Sequence, residues 1–324
     1  MNQKTVLITD YAWPDLAIER AILERAGLRL VAGPAAPASA EAITALVQAH
    51  QPDSILTCWA PVHASAIAAS APLVHVGRIG VGLDNIDVSA CTDRGVRVTN
   101  VPDYCVEEVS DHAVGFALAW TRGLVSFDRA VRGGQWNPAQ ARLRRLANLT
   151  VGIVGFGHIG RASARKFAAF GCRLLAATAQ TPAHASGVES VPLDALLASS
   201  DIVVLHVPLT EKTRGLIDRQ RIAAMKTGAL LINVSRGGVV DTQALTEALQ
   251  SGQLGGAALD VLDTEPQVPA TLLAQQDAMF TPHIAFSSDA SLAELRQRAA
   301  EEAVRMLSGQ APHHSCNTVA REIP

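Results

Sequence analysis

No run of about 18 apolar residues free of charge and glycine, the least a membrane-crossing helix needs, occurs in the 324 residues. The hydrophobic 48% of the chain is therefore read as the cores of a soluble protein. Residues 1–10 pass into a strand-like stretch without the apolar segment and small-residue cleavage site of a signal peptide, so the expected location is the cytoplasm. There is no C-x-x-C pair, and the five cysteines (Cys58, Cys91, Cys105, Cys172 and Cys316) are odd in number, which leaves free thiols rather than a disulfide framework or a zinc site. Excess positive charge is missing too. A net charge of −3 argues against a nucleic-acid partner held by bulk electrostatics, and the basic cluster Arg142-Leu143-Arg144-Arg145 reads as a solvated loop. The pair His313-His314 with Cys316 invites a metal, but adjacent side chains point apart; a polar tail and no metal are expected.

What the chain does have is alternation. Its length accommodates two domains, each with its own core. Short apolar strands at 5–9, 28–32, 54–57, 73–76 and 96–99 alternate with helical stretches near 14–26, 41–50, 62–70 and 86–94. Apolar strands buried between helices on both faces imply a parallel sheet. A helical pattern then runs from 106 to about 132, where Gly133-Gly134 stops it; a helix that long is expected to link domains or to pack against a partner. A second alternation places six strands at 151–154, 173–177, 202–205, 229–233, 256–260 and near 279–281, as many as a dinucleotide-binding sheet has. The final helix, 288–307, lies beyond it, so the chain is expected to return to the first domain.

The apolar strand Val151-Gly152-Ile153-Val154 runs straight into Gly155-x-Gly157-x-x-Gly160. A glycine turn of this kind lets backbone N–H groups approach a pyrophosphate at the positive end of the next helix. Glycines also serve ordinary tight turns, but an Ala-rich amphipathic helix over 161–170 and a second strand at 172–176 supply the context a dinucleotide site needs. A carboxylate at the end of that second strand would bind the ribose 2′-OH and repel a 2′-phosphate. Counting from Gly160 through Leu174 to Thr181 places Thr178 there, and no arginine follows to hold a phosphate. NAD and NADP both remain open as cofactors.

Three further segments stand at the ends of predicted strands, where open α/β sheets bind ligands: Asn233-Val234-Ser235-Arg236, Ala258-Leu259-Asp260 with Glu265-Pro266, and Phe280-Thr281-Pro282-His283. With the glycine loop and Gly77-Arg78-Ile79-Gly80-Val81-Gly82, they resemble the D-isomer-specific 2-hydroxyacid dehydrogenases, from about residue 4 to 316. The stretch from Asn100 through Tyr104 and Cys105 to His112 is similar to bacterial members described as like the C-terminal binding proteins. The resemblance implies that His283 protonates the keto oxygen as hydride arrives, an imidazole being tunable near neutral pH. Glu265 would orient that ring and favour its protonated form, and Arg236 would clamp a carboxylate with its planar fork. The nearer alternatives are a core histidine, a surface carboxylate and a structural ion pair. Amides of Val81 and Gly82 would hold the substrate carboxylate from the other domain, so that catalysis requires closure. Tyr104 would line the pocket or merely pack at the hinge. Arg78 resembles an arginine of phosphoglycerate dehydrogenases that faces a distal phosphate; otherwise it pairs with a carboxylate. His158, Ile159 and the glycine loop would contact the pyrophosphate, His206, Val207, Pro208 and Thr213 would flank the adenosine half, Asp260 would reach the carboxamide, and Val234 would also bind the cofactor. His206 equally suits a polar strand end.

The expected fold is α/β with two doubly wound parallel-sheet domains. A flavodoxin-like catalytic domain is expected from 1–100 plus 286–324, and a Rossmann NAD(P)-binding domain from 101–285. The helix at 106–132 is the expected element of a homodimer. The expected function is hydride transfer between a nicotinamide cofactor and a D-2-hydroxy acid or 2-keto acid. Its rival is a nucleotide-sensing interaction protein like the C-terminal binding proteins, since fold alone does not separate the two. The formate dehydrogenase branch is disfavoured, because it carries glutamine where Glu265 stands.

Overall fold

A computed structural model describes residues 3–178 and 187–319. The chain divides into two compact units, Met1–Tyr104 with Ser288–Pro324, and Cys105–Ser287. The first begins with β1 (Thr5–Ile8), α1 (Ala17–Arg25), β2 (Arg29–Ala32), α2 (Ala40–His50), β3 (Ser54–Thr57), α3 (Ala64–Ala69), β4 (His75–Arg78), α4 (Val88–Asp93) and β5 (Arg97–Thr99). Its strands form one parallel sheet in the order β2-β1-β3-β4-β5. Every residue of β1, β3 and β4 is buried, as strands covered on both faces must be. The order reverses between β1 and β3, where such a sheet leaves a crevice at its carboxyl ends. There the buried Asp10 carboxylate accepts from the Cys58 and Trp59 amides at 3.0 and 2.7 Å.

One polar ladder crosses this core. His75 Nδ1 lies 2.8 Å from Ser54 Oγ, and its Nε2 lies 2.8 Å from Thr99 Oγ1, so a fully buried imidazole links three strands. Burial pushes its pKa from 6.5 down to about 3. As pH falls from about 6.5 toward about 3 the unfolded ring takes a proton that the folded ring refuses, and stability drops with pH through that window. The urea midpoint is expected to fall between pH 7 and pH 5, and to fall less in His75→Gln; equal slopes would remove His75 as a cause.

The second unit contains α5 (Val106–Thr121), α6 (Leu124–Arg132), β6 (Thr150–Val154), α7 (His158–Ala169), β7 (Arg173–Ala177), β8 (Val188–Ser190), α8 (Leu193–Ser199), β9 (Ile202–Leu205), α9 (Arg219–Ala224), β10 (Ala229–Asn233), α10 (Thr242–Gln250), β11 (Leu254–Leu259), α11 (Ala270–Leu273) and β12 (Ala278–Phe280). The sheet is parallel, ordered β12-β11-β10-β9-β6-β7-β8, and its order reverses at β6 and β9. It has seven strands among the described residues, not six. The extra one, β8, is a short, largely exposed edge strand without the apolar run that marks the others. The long helix expected over 106–132 is two helices. Gly123 takes a left-handed backbone (φ 61°) that ends α5 and turns the chain into α6. Arg144 does not simply face solvent either, since its guanidinium lies 4.5 Å from the centre of the Trp120 ring.

The chain then returns to the first unit as α12 (Asp289–Leu307), capped by Ser288. Arg296 on α12 donates to both carboxylate oxygens of the buried Glu19 on α1, each at 2.8 Å, and to the Asp15 carbonyl. The expected polar tail is anchored. His313 Nδ1 is 2.8 Å from Glu302 Oε2, and the Cys316 amide donates to Val98 O at 2.8 Å.

Candidate active site

The glycine loop leaves β6 at the point where the sheet order reverses. Gly155 has φ 95°, and a Cβ there would lie 2.7 Å from His206 O, so the loop presses against the end of β9. At Gly160 a Cβ would lie 2.2 Å from Gly155 O, whereas at Gly157 it would meet nothing within 4 Å. Gly157 caps α7 without any side-chain bond, and His158 beside it is exposed. The first and third glycines thus let the loop fold, and the second leaves open space before an uncapped helix N-terminus. That combination fits a pyrophosphate.

Around the loop the expected cofactor residues fall into two groups. His206 turns its Nε2 to Ser163 Oγ on α7 at 2.8 Å, and burial pushes its pKa down to about 3, so a neutral ring ties β9 to the helix behind the loop. Thr213 Oγ1 accepts from the Thr210 amide at 2.8 Å and donates to Pro208 O, closing the turn that follows Val207. Thr178 directly follows β7 and is half-buried. The remainder of its segment, Ala179 to Thr181, lies outside the described residues.

Arg236 follows β10 and the buried Val234. Asn233 shapes this turn: its Oδ1 accepts from the Ser235 amide at 3.1 Å, and its Nδ2 donates to Arg236 O at 2.9 Å. Gly237 then brings two backbones together, since a Cβ there would lie 1.8 Å from Leu262 C and 2.1 Å from Asp263 N. This contact sets Arg236 beside the turn that carries Glu265. Neither Asn233 nor Gly237 was expected to position the site, although Asn at a strand end, able to bond the backbone two residues on, is a signal for such a turn.

Glu265 Oε1 accepts from the Leu262 amide at 2.8 Å, and its Oε2 lies 2.8 Å from His283 Nδ1. Burial alone would raise the carboxyl's pKa, but the His283 bond and charge, the Leu262 amide and the charge of Arg236 outweigh it and hold the group below its ordinary value. His283 has φ 53°, a region that non-glycine residues rarely occupy. Asp260, almost wholly buried at the end of β11, holds it there. Its carbonyl accepts from the His283 amide at 2.8 Å, and its carboxylate accepts from Ile284 N at 2.8 Å, Ala285 N at 3.0 Å and Thr281 Oγ1 at 2.6 Å. The second unit therefore brings Arg236, Asp260, Glu265 and His283 together.

The remaining expected residues lie in the first unit. Arg78 ends β4, is buried, donates from Nη1 to Ile79 O, and has no ion pair among the described residues, with its Nε left unpartnered. Gly80 makes room for it, since a Cβ there would lie 2.6 Å from Nη1. Val81 and Gly82 are half-buried, with Val81 O accepting from Asn100 Nδ2 at 2.7 Å, and Tyr104 is buried.

Residues 114–285 match the family model for the NAD-binding domain of D-isomer-specific 2-hydroxyacid dehydrogenases. The chain is 37% identical over 249 residues to a hydroxypyruvate reductase of Thermotoga maritima, covering 76% of this chain and 80% of that one. It is 39% identical over 265 residues to a glyoxylate reductase of Korarchaeum cryptofilum, covering 79% and 80%. The crystal structure of an NADPH-dependent glyoxylate/hydroxypyruvate reductase from Sinorhizobium meliloti, with NADP and malonate, superposes with TM-score 0.84 and 30% identity over 97% of both chains. These relatives give the interaction-protein alternative no support. The chain belongs to the D-isomer-specific 2-hydroxyacid dehydrogenase family and is an NAD(P)-dependent oxidoreductase of hydroxy and keto acids.

Proposed function

We propose that the enzyme interconverts a small 2-keto acid and its D-2-hydroxy acid with His283 as acid and base. The observation that carries this reading is the 2.8 Å bond between His283 Nδ1 and Glu265 Oε2. With Nδ1 engaged, Nε2 is the atom that gives the substrate oxygen its proton or takes it back. Glu265 fixes the plane of the ring and balances its charge when both nitrogens carry hydrogen. Arg236 clamps the substrate carboxylate and draws electron density from the carbonyl. Bound NAD(P) supplies or receives the hydride.

Val81 and Gly82 offer amides to the substrate carboxylate, and Tyr104 shapes the pocket. Arg78, with no acidic partner among the described residues, suits a substrate with a distal anion. Gly155, Gly157, His158, Ile159 and Gly160 hold the pyrophosphate and Thr178 the ribose. His206, Val207, Pro208 and Thr213 stand on the adenosine side, and Val234 and Asp260 on the nicotinamide side. Loss of reduced-nicotinamide absorbance with glyoxylate, hydroxypyruvate and 3-phosphohydroxypyruvate, each with NADH and NADPH, tests the activity and reads which cofactor the Thr178 site accepts. No turnover with any pair would overturn the proposal.

The enzyme acts as a cytoplasmic homodimer in this reading. What supports the dimer is α6, which buries none of its residues, together with the exposed Leu124, Val125, Val131 and Leu143 and a Trp136 that is 84% exposed. Apolar side chains gathered in one such segment mark an interaction surface. Light scattering is expected to give twice the chain mass for the wild type and the single mass for Trp136→Glu; a monomeric wild type would overturn the assignment.

A further inference from the structure

We infer that His112 is a positioning residue for His283, acting through Thr281 and Asp260; this rests on the acid–base reading of His283. His112 lies on α5, and its Nε2 is 3.0 Å from Thr281 Oγ1, within hydrogen-bond reach, and 3.9 Å from Asp260 Oδ1, beyond it. Thr281 Oγ1 is 2.6 Å from Asp260 Oδ1, an oxygen that also accepts from the Ile284 amide. A carboxylate has no hydrogen to give, so the hydroxyl donates to Asp260 and keeps its lone pairs for another donor. The donor is His112 Nε2–H. Burial, opposed in part by the charge of Asp260, lowers the pKa of His112, which leaves a neutral ring with one N–H to place.

The order of donors then runs one way, from His112 to Thr281 to Asp260, and Asp260 grips three consecutive amides, those of His283, Ile284 and Ala285. A residue with side chain keeps a left-handed φ only where its surroundings over-determine it. Here that hold depends on where the Asp260 carboxylate points, which the Thr281 hydroxyl sets and His112 locks. The competing view is that His112 merely packs, since its ring meets Phe116 edge-on with centroids 4.5 Å apart.

His112→Phe keeps a ring against Phe116 and removes the N–H. It is expected to lower kcat about tenfold to a hundredfold with little change in KM, the size of effect a small misplacement produces. His112→Gln, whose amide N–H reaches the Nε2 position, is expected to recover most of that loss. His112→Phe added to Thr281→Val is expected to cost nothing further, because both break one chain. Heteronuclear NMR of the histidine-labelled protein without cofactor should show His112 as the Nε2–H tautomer at neutral pH. Wild-type kcat in His112→Phe, losses that multiply in the double variant, or an Nδ1–H ring would each overturn the inference. His283→Ala, assayed alongside, separates the two readings: if it is inactive the acid–base reading stands and only the role of His112 is at stake, and if it is active both fall.

Discussion

His283→Ala is expected to lower kcat for keto acid reduction by about 10²- to 10⁴-fold, the range that a positioned general acid supplies. Affinity for the reduced cofactor, read by fluorescence titration, should change by no more than about twofold, because the glycine loop lies elsewhere on the sheet and none of its bonds involves this ring. The loss falls on kcat because the proton is needed only as the carbonyl is reduced. Activity within about threefold of wild type would remove His283 from the chemistry. Glu265→Gln should be milder. The amide keeps a hydrogen-bonding group at the 2.8 Å position facing Nδ1 but loses the charge, so kcat should fall by less than in His283→Ala, with KM little changed. An unchanged kcat would leave the Glu265 charge without a part in the reaction.

Arg236→Ala is expected to cost about 2–5 kcal/mol in transition-state stabilisation, roughly 30- to 5,000-fold in kcat/KM, as loss of one partner from a desolvated charge pair does. Arg236→Lys decides what the site uses. Lysine restores the charge without the planar fork, so it should recover only a small part of the loss if two parallel bonds to a carboxylate matter. The backbone around Arg236 is held by the Asn233 turn and by the close approach at Gly237, and neither depends on the guanidinium. Thermal midpoints of both variants should therefore stay near wild type. Equal kcat/KM for Lys and Arg would show that a point charge suffices.

The parts of this site that were legible in the sequence are those whose causes are local. A strand ending in Gly155-x-Gly157-x-x-Gly160 announces itself because the demand for glycine comes from atoms a few residues away, or from the next strand end. The Glu265–His283 pair spans 18 residues, and it was read through the resemblance of its two motifs, not from spacing. His112 closed a stretch read by resemblance, but nothing there gave it a role. Its partner Thr281 is 169 residues distant, and on α5 it looks like one more residue of a helical face. The same holds for Gly237, whose need for a bare Cα comes from the backbone at Leu262 and Asp263 after an intervening helix and strand. In the helix expected at 106–132, Gly123 was not singled out, because only its φ of 61° shows that the chain turns there. The edge strand β8 was missed for the opposite reason: its residues are too exposed to carry a pattern.

The buried pair between Glu19 and Arg296 joins residues 277 positions apart, with the whole second unit threaded between them. On a ribosome this sets an order of assembly. The second unit emerges complete before α12 exists, so it can reach its native packing while the first unit still lacks the helix that covers α1. Until then Glu19 is better left in water, because a carboxylate buried without its cation is strongly unfavourable. Arg296 therefore supplies, last in synthesis, the cation that the buried Glu19 carboxylate needs.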